Sequence, residues 1–84
     1  MANWFVYIVR CRTGQLYTGI TLNIKRRLEQ HNKGIGSKFT RGRRPVKLVY
    51  REICKNRSSA AKRETTIKKM ALMHKLSLIA NKRI

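Results

Sequence analysis

The chain contains no aspartate, and its only acidic residues are three glutamates, Glu29, Glu52 and Glu64. Against them stand 21 lysines and arginines in 84 residues, a formal charge of +18. The missing aspartates exclude the carboxylate-rich cradle of a two-metal hydrolytic centre. The missing negative charge leaves the folded chain repelling itself unless its partner is a polyanion, with nucleic acid the first candidate. A purely solubilising basic surface is the bland alternative, but an excess this one-sided is uncommon for that purpose. Cysteine is scarce as well: Cys11 and Cys54 fit no C-x-x-C spacing, and with His31 and His74 they show no zinc-ligand spacing, so they read as reduced, small hydrophobes. No apolar run is long enough to span a membrane, and no helical stretch sets a clean basic face against an aromatic one, which argues against a membrane partner. No basic residue precedes Trp4 and the apolar run stops at Arg10, unlike a signal peptide, so the expected location is cytoplasmic. The length fits a single domain, 1–84, with a small core and few spare loops.

What is present is organised around a hairpin. Trp4 to Cys11 is a run of bulky and β-branched residues too continuous for a half-solvated strand, so it reads as a central strand buried on both faces. Arg12-Thr13-Gly14-Gln15 turns it into Leu16-Tyr17-Thr18-Gly19-Ile20, which places Tyr7 and Tyr17 ten residues apart. Closure through two residues, Thr13-Gly14, would set Tyr7 opposite Ile20 and send the two rings to opposite faces. Closure through three, Thr13-Gly14-Gln15, would set Tyr7 opposite Thr21 and bring both rings to one face.

Asn23 as N-cap and Gly34 beyond the C-cap bracket a helix over 24–33, on which Ile24, Arg27, Leu28 and His31 share one face. Residues 34–45 hold three glycines, the only proline, Phe39 and the cations Lys38, Arg41, Arg43 and Arg44. Such a loop suits phosphate tracking with Phe39 either stacking or tucked into the core. Val46 to Ile53 alternates as a half-exposed edge strand. Asn56 to Ser59 can cap a helix from Ala60 to about His74, whose stripe Ala60, Glu64, Ile67, Ala71 and His74 puts a carboxylate on an apolar face, beside cations such as Lys68. A local ion pair from Glu64 to Lys68 is the plain alternative. The tail closes as a short helix with Leu76 and Ile79 on the sheet. The expected fold class is α+β, a small three-stranded sheet flanked by helices in the order β-β-α-β-α-α.

Tyr7, Tyr17, Arg27, His31 and Glu64 are thereby directed to one region between sheet and helices. There is no phosphate loop and no Ser/His/Asp order. One carboxylate can still hold one magnesium ion, which keeps several waters and takes its other ligands from phosphate. In-line attack on a phosphodiester needs a base for water, cationic donors on the nonbridging oxygens and a metal on the leaving oxygen. A tyrosine, an arginine and a metal-bound glutamate fill those roles. A strongly cationic site and a nearby metal ion are both expected to favour the phenolate.

Phe5-Val6-Tyr7, Tyr17-Thr18-Gly19, Arg26-Arg27-Leu28 with His31, Arg43-Arg44-Pro45-Val46 running into Leu48-Val49-Tyr50, and Ala60-Ala61-Lys62-Arg63-Glu64 resemble the GIY-YIG nuclease superfamily, closest to its small stand-alone bacterial members. The resemblance covers nearly the whole chain. It implies a central antiparallel sheet and magnesium-dependent cleavage of DNA, with manganese an alternative ion. By position it makes Tyr7 and Tyr17 the base and an aligner in either order, Arg27 the phosphate binder, His31 a polar helper, Glu64 the metal ligand and Gly19 the motif glycine. Phe5 replaces the first motif glycine and Thr18 the second motif isoleucine, and Asn81 has no fixed counterpart. Lys38, Arg41, Arg43, Arg44 and Lys68 are the expected nucleic-acid contacts. With no separate recognition domain, substrate choice would come from DNA shape, ends or a protein partner, whether branched, nicked or single-stranded DNA, and RNA stays open. The alternatives are a non-catalytic nucleic-acid-binding protein on the same scaffold and a ribosome-associated basic protein.

Overall fold

The strand β1 (Trp4–Cys11) lies in the middle of a three-stranded antiparallel sheet of order β2-β1-β3, between β2 (Leu16–Thr21) and β3 (Val46–Cys54). The helices are α1 (Ile24–Asn32), the single turn α2 (Lys38–Arg41), α3 (Arg57–Lys68) and α4 (Leu72–Asn81). This computed structural model describes residues 3–81. The α+β class and the central antiparallel sheet agree with the sequence, and α2 is an added turn inside the expected basic loop.

Successive β1 side chains feed two separate cores, which is why the run has no polar alternation. Val6 and Ile8 pack with Tyr50, Ala60 and Ile67, so α3 covers that face, and Met70, Leu78 and Ile79 complete it. Tyr7, Val9, Cys11 and Val46 meet Ile24 and Leu28 on the other face, under α1. In β3 a bulge changes the register between Ile8, opposite Tyr50, and Val9, opposite Leu48. The extra residue sends Leu48 and Tyr50 to different cores although they are two apart.

The hairpin adopts neither register drawn from the sequence. Cys11 N–H bonds to the Gln15 carbonyl at 2.8 Å, and Tyr7 stands opposite Gly19. The loop is therefore Arg12-Thr13-Gly14, three residues but one position earlier than expected, with Gly14 at φ +96. A left-handed residue must close a three-residue loop of this kind, and Gly14 is the residue that meets the requirement. Tyr7 and Tyr17 still share a face.

The helix expected over 60–74 is also corrected. It begins at Arg57, capped by Asn56 accepting from Ser59 N–H at 2.8 Å, and ends at Lys68. A tight turn, with Met70 N–H donating to the Ile67 carbonyl, then starts α4. The break lets Met70, Leu78 and Ile79 return to the core, whereas a straight continuation would leave the sheet uncovered. His74 and Ala71 consequently leave the Glu64 stripe and are exposed. Leu76, expected on the sheet, is 37% exposed, while Ile79 does pack there. Asn81 ends α4, exposed.

Asn32 fastens α1 to β3 by behaving like a strand partner: its Oδ1 accepts from Val46 N–H at 2.7 Å and its Nδ2 donates to the Val46 carbonyl at 3.2 Å. Asn32→Ala is expected to lower unfolding free energy by about 1–2 kcal/mol, read from urea midpoints. Asn32→Asp should cost at least as much near neutral pH, since a carboxylate cannot donate to that carbonyl. A change below about 0.3 kcal/mol for both would show that water replaces the clamp.

Candidate active site

His31 is fully buried at the centre of the site, where α1 faces the hairpin. The Tyr7 hydroxyl lies 2.8 Å from its Nε2, and Thr40 Oγ1 lies 2.8 Å from its Nδ1. No other acceptor for the Tyr7 proton is found among the described residues. We therefore assign Tyr7 as donor to Nε2, which leaves Nδ1–H donating to Thr40 Oγ1, and Thr40 donating in turn to the Ser37 carbonyl at 3.4 Å. This polar chain crosses an apolar interior and is satisfied at every step. Burial, aided by the Arg27 guanidinium, lowers the His31 pKa and keeps the imidazole neutral. Burial also raises the pKa of Tyr7 well above the ordinary tyrosine value; Tyr17 and the Glu64 carboxylate add to the rise and Arg27 opposes it. Arg27 thus lowers the Tyr7 pKa as a cation should, but desolvation outweighs it.

Two glycines make room for this chain. A Cβ on Gly19 would lie 2.6 Å from the Tyr7 hydroxyl oxygen, so the motif glycine is what lets the ring cross β2. A Cβ on Gly36 would lie 2.4 Å from His31 Nδ1, so the loop is laid directly on the imidazole. Tyr17 meets His31 edge-on, ring centroids 5.3 Å apart, and stacks with Phe39 at 5.8 Å and 24°. Of the two roles open to Phe39 it fills an intermediate one, 38% exposed and resting on Tyr17.

Arg27 is half-buried, acts on both Tyr7 and His31, and forms no ion pair among the described residues. It lines a cleft of about 280 Å³ with Arg26 and Gln30. Glu64 approaches from the opposite layer, on α3, close enough to influence Tyr7, while its Oε2 pairs with Lys68 Nζ at 3.2 Å. The local pair weighed from sequence therefore exists, and Lys68 is its exposed partner. Lys38 and Arg41 project from α2 into solvent. Arg43 and Arg44 do more than present charge: Arg43 Nη1 donates to the Phe39 carbonyl at 2.6 Å and Arg44 Nε to the Arg41 carbonyl at 2.8 Å, folding the loop on itself.

The description "GIY-YIG catalytic domain" matches residues 3–74. The chain belongs to the GIY-YIG family. Its relatives include a UPF0213 protein of Desulfotalea psychrophila, 56% identical over 77 residues, which cover 90% of this chain and 70% of that protein. A UPF0213 protein of Clostridium perfringens is 50% identical over 80 residues, covering 95% of this chain and 86% of the relative. Among solved structures, the solution NMR structure of a UPF0213 protein from Bacillus halodurans matches with TM-score 0.64 and 36% identity, covering 96% of this chain and 86% of that one. The GIY-YIG domain is that of a nuclease family, and its two half-motifs here lie side by side on β1 and β2.

Sequence reading missed Thr40, Gly36 and Asn32. Thr40 and Asn32 act through contacts nine and fourteen residues away, for which no periodicity exists. Gly36, one of three loop glycines, was the available signal.

Because folded His31 resists protonation, the unfolded chain binds that proton at higher pH than the folded one, and stability should fall as pH drops below the ordinary value of 6.5. Urea midpoints taken from pH 7.5 downward should show this decline, and His31→Asn should flatten it; an unchanged slope would place its origin elsewhere. Gly19→Ala should destabilise by about 1–3 kcal/mol through overpacking and shift the His31 ring resonances as Tyr7 is displaced. Unshifted resonances would refute the contact.

Proposed function

We propose that this GIY-YIG domain hydrolyses DNA phosphodiesters with little sequence preference, using a divalent metal ion, in a DNA-repair setting. The observation that carries the reading is the placement of both motif tyrosines on one sheet face around a buried neutral His31, with the Arg27 guanidinium, which has no ion-pair partner among the described residues, beside them.

Glu64 is the group suited to a metal ion. Among the described residues no cluster of three or more His, Cys, Asp or Glu side chains exists, which does not fit zinc. A lone carboxylate, 22% exposed and released by movement of the exposed Lys68, fits magnesium or manganese completed by water and phosphate oxygens. When bound, such an ion supplies charge stabilisation on the leaving oxygen.

The chain's own residues divide the remaining work. Arg27 binds a nonbridging phosphate oxygen, where a guanidinium matches the geometry and gains strength at a half-buried position. Tyr7 and its partners His31 and Thr40 form a fixed wall, since the proton of Tyr7 is held by burial and by Nε2. Tyr17 is half-exposed, so water and substrate reach it, and we assign it the proton-accepting role. Lys38 and Arg41 meet the flanking backbone, which makes binding strongly salt-dependent. The Glu64–Lys68 pair supports a second reading, a nucleic-acid-binding protein that keeps the scaffold without the reaction.

The test is cleavage of end-labelled linear, nicked and branched DNA in magnesium and in chelator. Cutting is expected only with magnesium, reduced about 100-fold or more in Glu64→Gln and Tyr17→Phe, and about tenfold in Tyr7→Phe. A greater loss in Tyr7→Phe than in Tyr17→Phe would exchange the tyrosine roles. Undiminished DNA binding without cutting by the unaltered protein, on all substrates, would establish the second reading instead.

A further inference from the structure

The end of β1 away from the Arg27 cleft carries a basic surface that the proposed reaction does not use. Trp4, the first residue of β1, lines that cleft, whereas Cys11, its last, lines a groove of about 180 Å³ at the other end. Arg10, Arg12 and Lys47 give this groove its cations, and Cys11, Pro45 and Val49 its apolar floor. Arg12 and Pro45 also line a second groove, of about 520 Å³, together with Arg41, so the two form one surface. No glutamate lines either of them. Arg10 and Lys47 stand directly opposite each other on β1 and β3, both exposed, and like charges so placed weaken strand pairing unless an anion lies between them. Arg12 is aimed by its Nε, which donates to the Arg44 carbonyl at 2.8 Å, and neither of its Nη nitrogens has a partner among the described residues.

We infer that Arg10, Arg12 and Lys47 hold the backbone of a DNA duplex about seven base pairs away from the phosphate that Arg27 binds. The inference rests on the nuclease reading for Arg27 and adds to it the length of duplex that the protein needs. That length follows from β1, whose eight residues span about 23 Å at the usual rise of a strand. Duplex DNA advances about 3.4 Å per base pair, so the same span is about seven pairs. Continuity and charge choose the occupant. Arg41, already set against the flanking backbone, lines the larger groove, so this surface prolongs the path of the substrate. The apolar floor between the cations fits sugar carbons carrying a phosphate on either side, which a bare inorganic anion would not use. A second copy of this chain would set a charge of +18 against the same cations. An acidic polypeptide would match the charge but has no reason to extend as far as the Arg27 cleft.

The test is carried out in chelator, so that binding is read without cutting. The probes are labelled hairpin-closed duplexes with stems of about 6, 9, 12 and 16 base pairs, and affinity is read from fluorescence anisotropy. Between the shortest stem and the two longest, affinity for the unaltered protein should rise about tenfold, more than the added binding positions supply. Arg10→Gln/Lys47→Gln and, separately, Arg12→Gln should remove most of that rise while leaving the shortest stem within about twofold. The slope of log affinity against log salt on the longest stem should fall by about 2 in the first and about 1 in the second. Lys62→Gln/Lys69→Gln removes the same charge from α3 and its C-cap and should keep the rise. No rise with stem length in the unaltered protein would overturn the inference, whether or not the variants fold. So would an equal loss on every stem in the α3 variant and the Arg10/Lys47 variant, or displacement of the longest stem by poly-glutamate of equal charge as readily as by unlabelled DNA. A rise in affinity with no cutting in magnesium would count against the nuclease reading alone; cutting of every stem at equal affinity would count against this surface alone.

Discussion

The hydrogen-bond chain from Tyr7 through His31 to Thr40 is the constraint on which the α1 side of the molecule depends. A buried imidazole with an unmet nitrogen would cost as much as several surface contacts contribute, so both of its nitrogens need partners in fixed directions. One partner comes from the central strand and the other from the basic loop. Gly19 and Gly36 follow from this, since the ring and the loop must pass where a methyl group would stand. The single turn α2 follows as well: capped by Ser37, it is the shape that delivers Thr40 to Nδ1.

Electrostatics separates the two sides of the sheet. On the α3 side, Glu52 accepts from Arg63 at 3.0 Å and from the Tyr50 hydroxyl, tying helix to strand with a neutralised pair. On the α1 side Arg27 has no such partner among the described residues. The cations of the loop are divided again, between those spent on backbone carbonyls, Arg43 and Arg44, and those turned outward, Lys38 and Arg41. A basic surface of this sort is partly scaffold, and substitutions that remove charge from it will not all act alike.

Much of this was legible in the sequence because it lies in local patterns. The continuous β1 run announced a central strand, Asn23 and Gly34 bracketed α1, and the spacing of Arg27 and His31 set them on its inner face. What escaped depended on contacts distant in sequence. The hairpin register turned on one residue of loop geometry, which composition around Gly14 does not determine. The end of α3 was overrun because the stripe through Ala71 and His74 continues the helical period, while the gain from burying Met70, Leu78 and Ile79 depends on a sheet that periodicity cannot see. That burial outweighs the influence of Arg27 on Tyr7 escaped for the same reason: depth is a tertiary property.

The division of the site between two layers has a consequence for how the chain comes into being. Tyr7, Tyr17, Arg27, His31 and Thr40 all lie in the first 40 residues, and Glu64 lies on α3, beyond the third strand. Synthesis runs from the N-terminus, so the tyrosines and the imidazole emerge before the carboxylate. An incomplete chain carries the surface that attracts polyanions but lacks the last group the proposed reaction requires, and competence arrives only with the helix that also closes the opposite core.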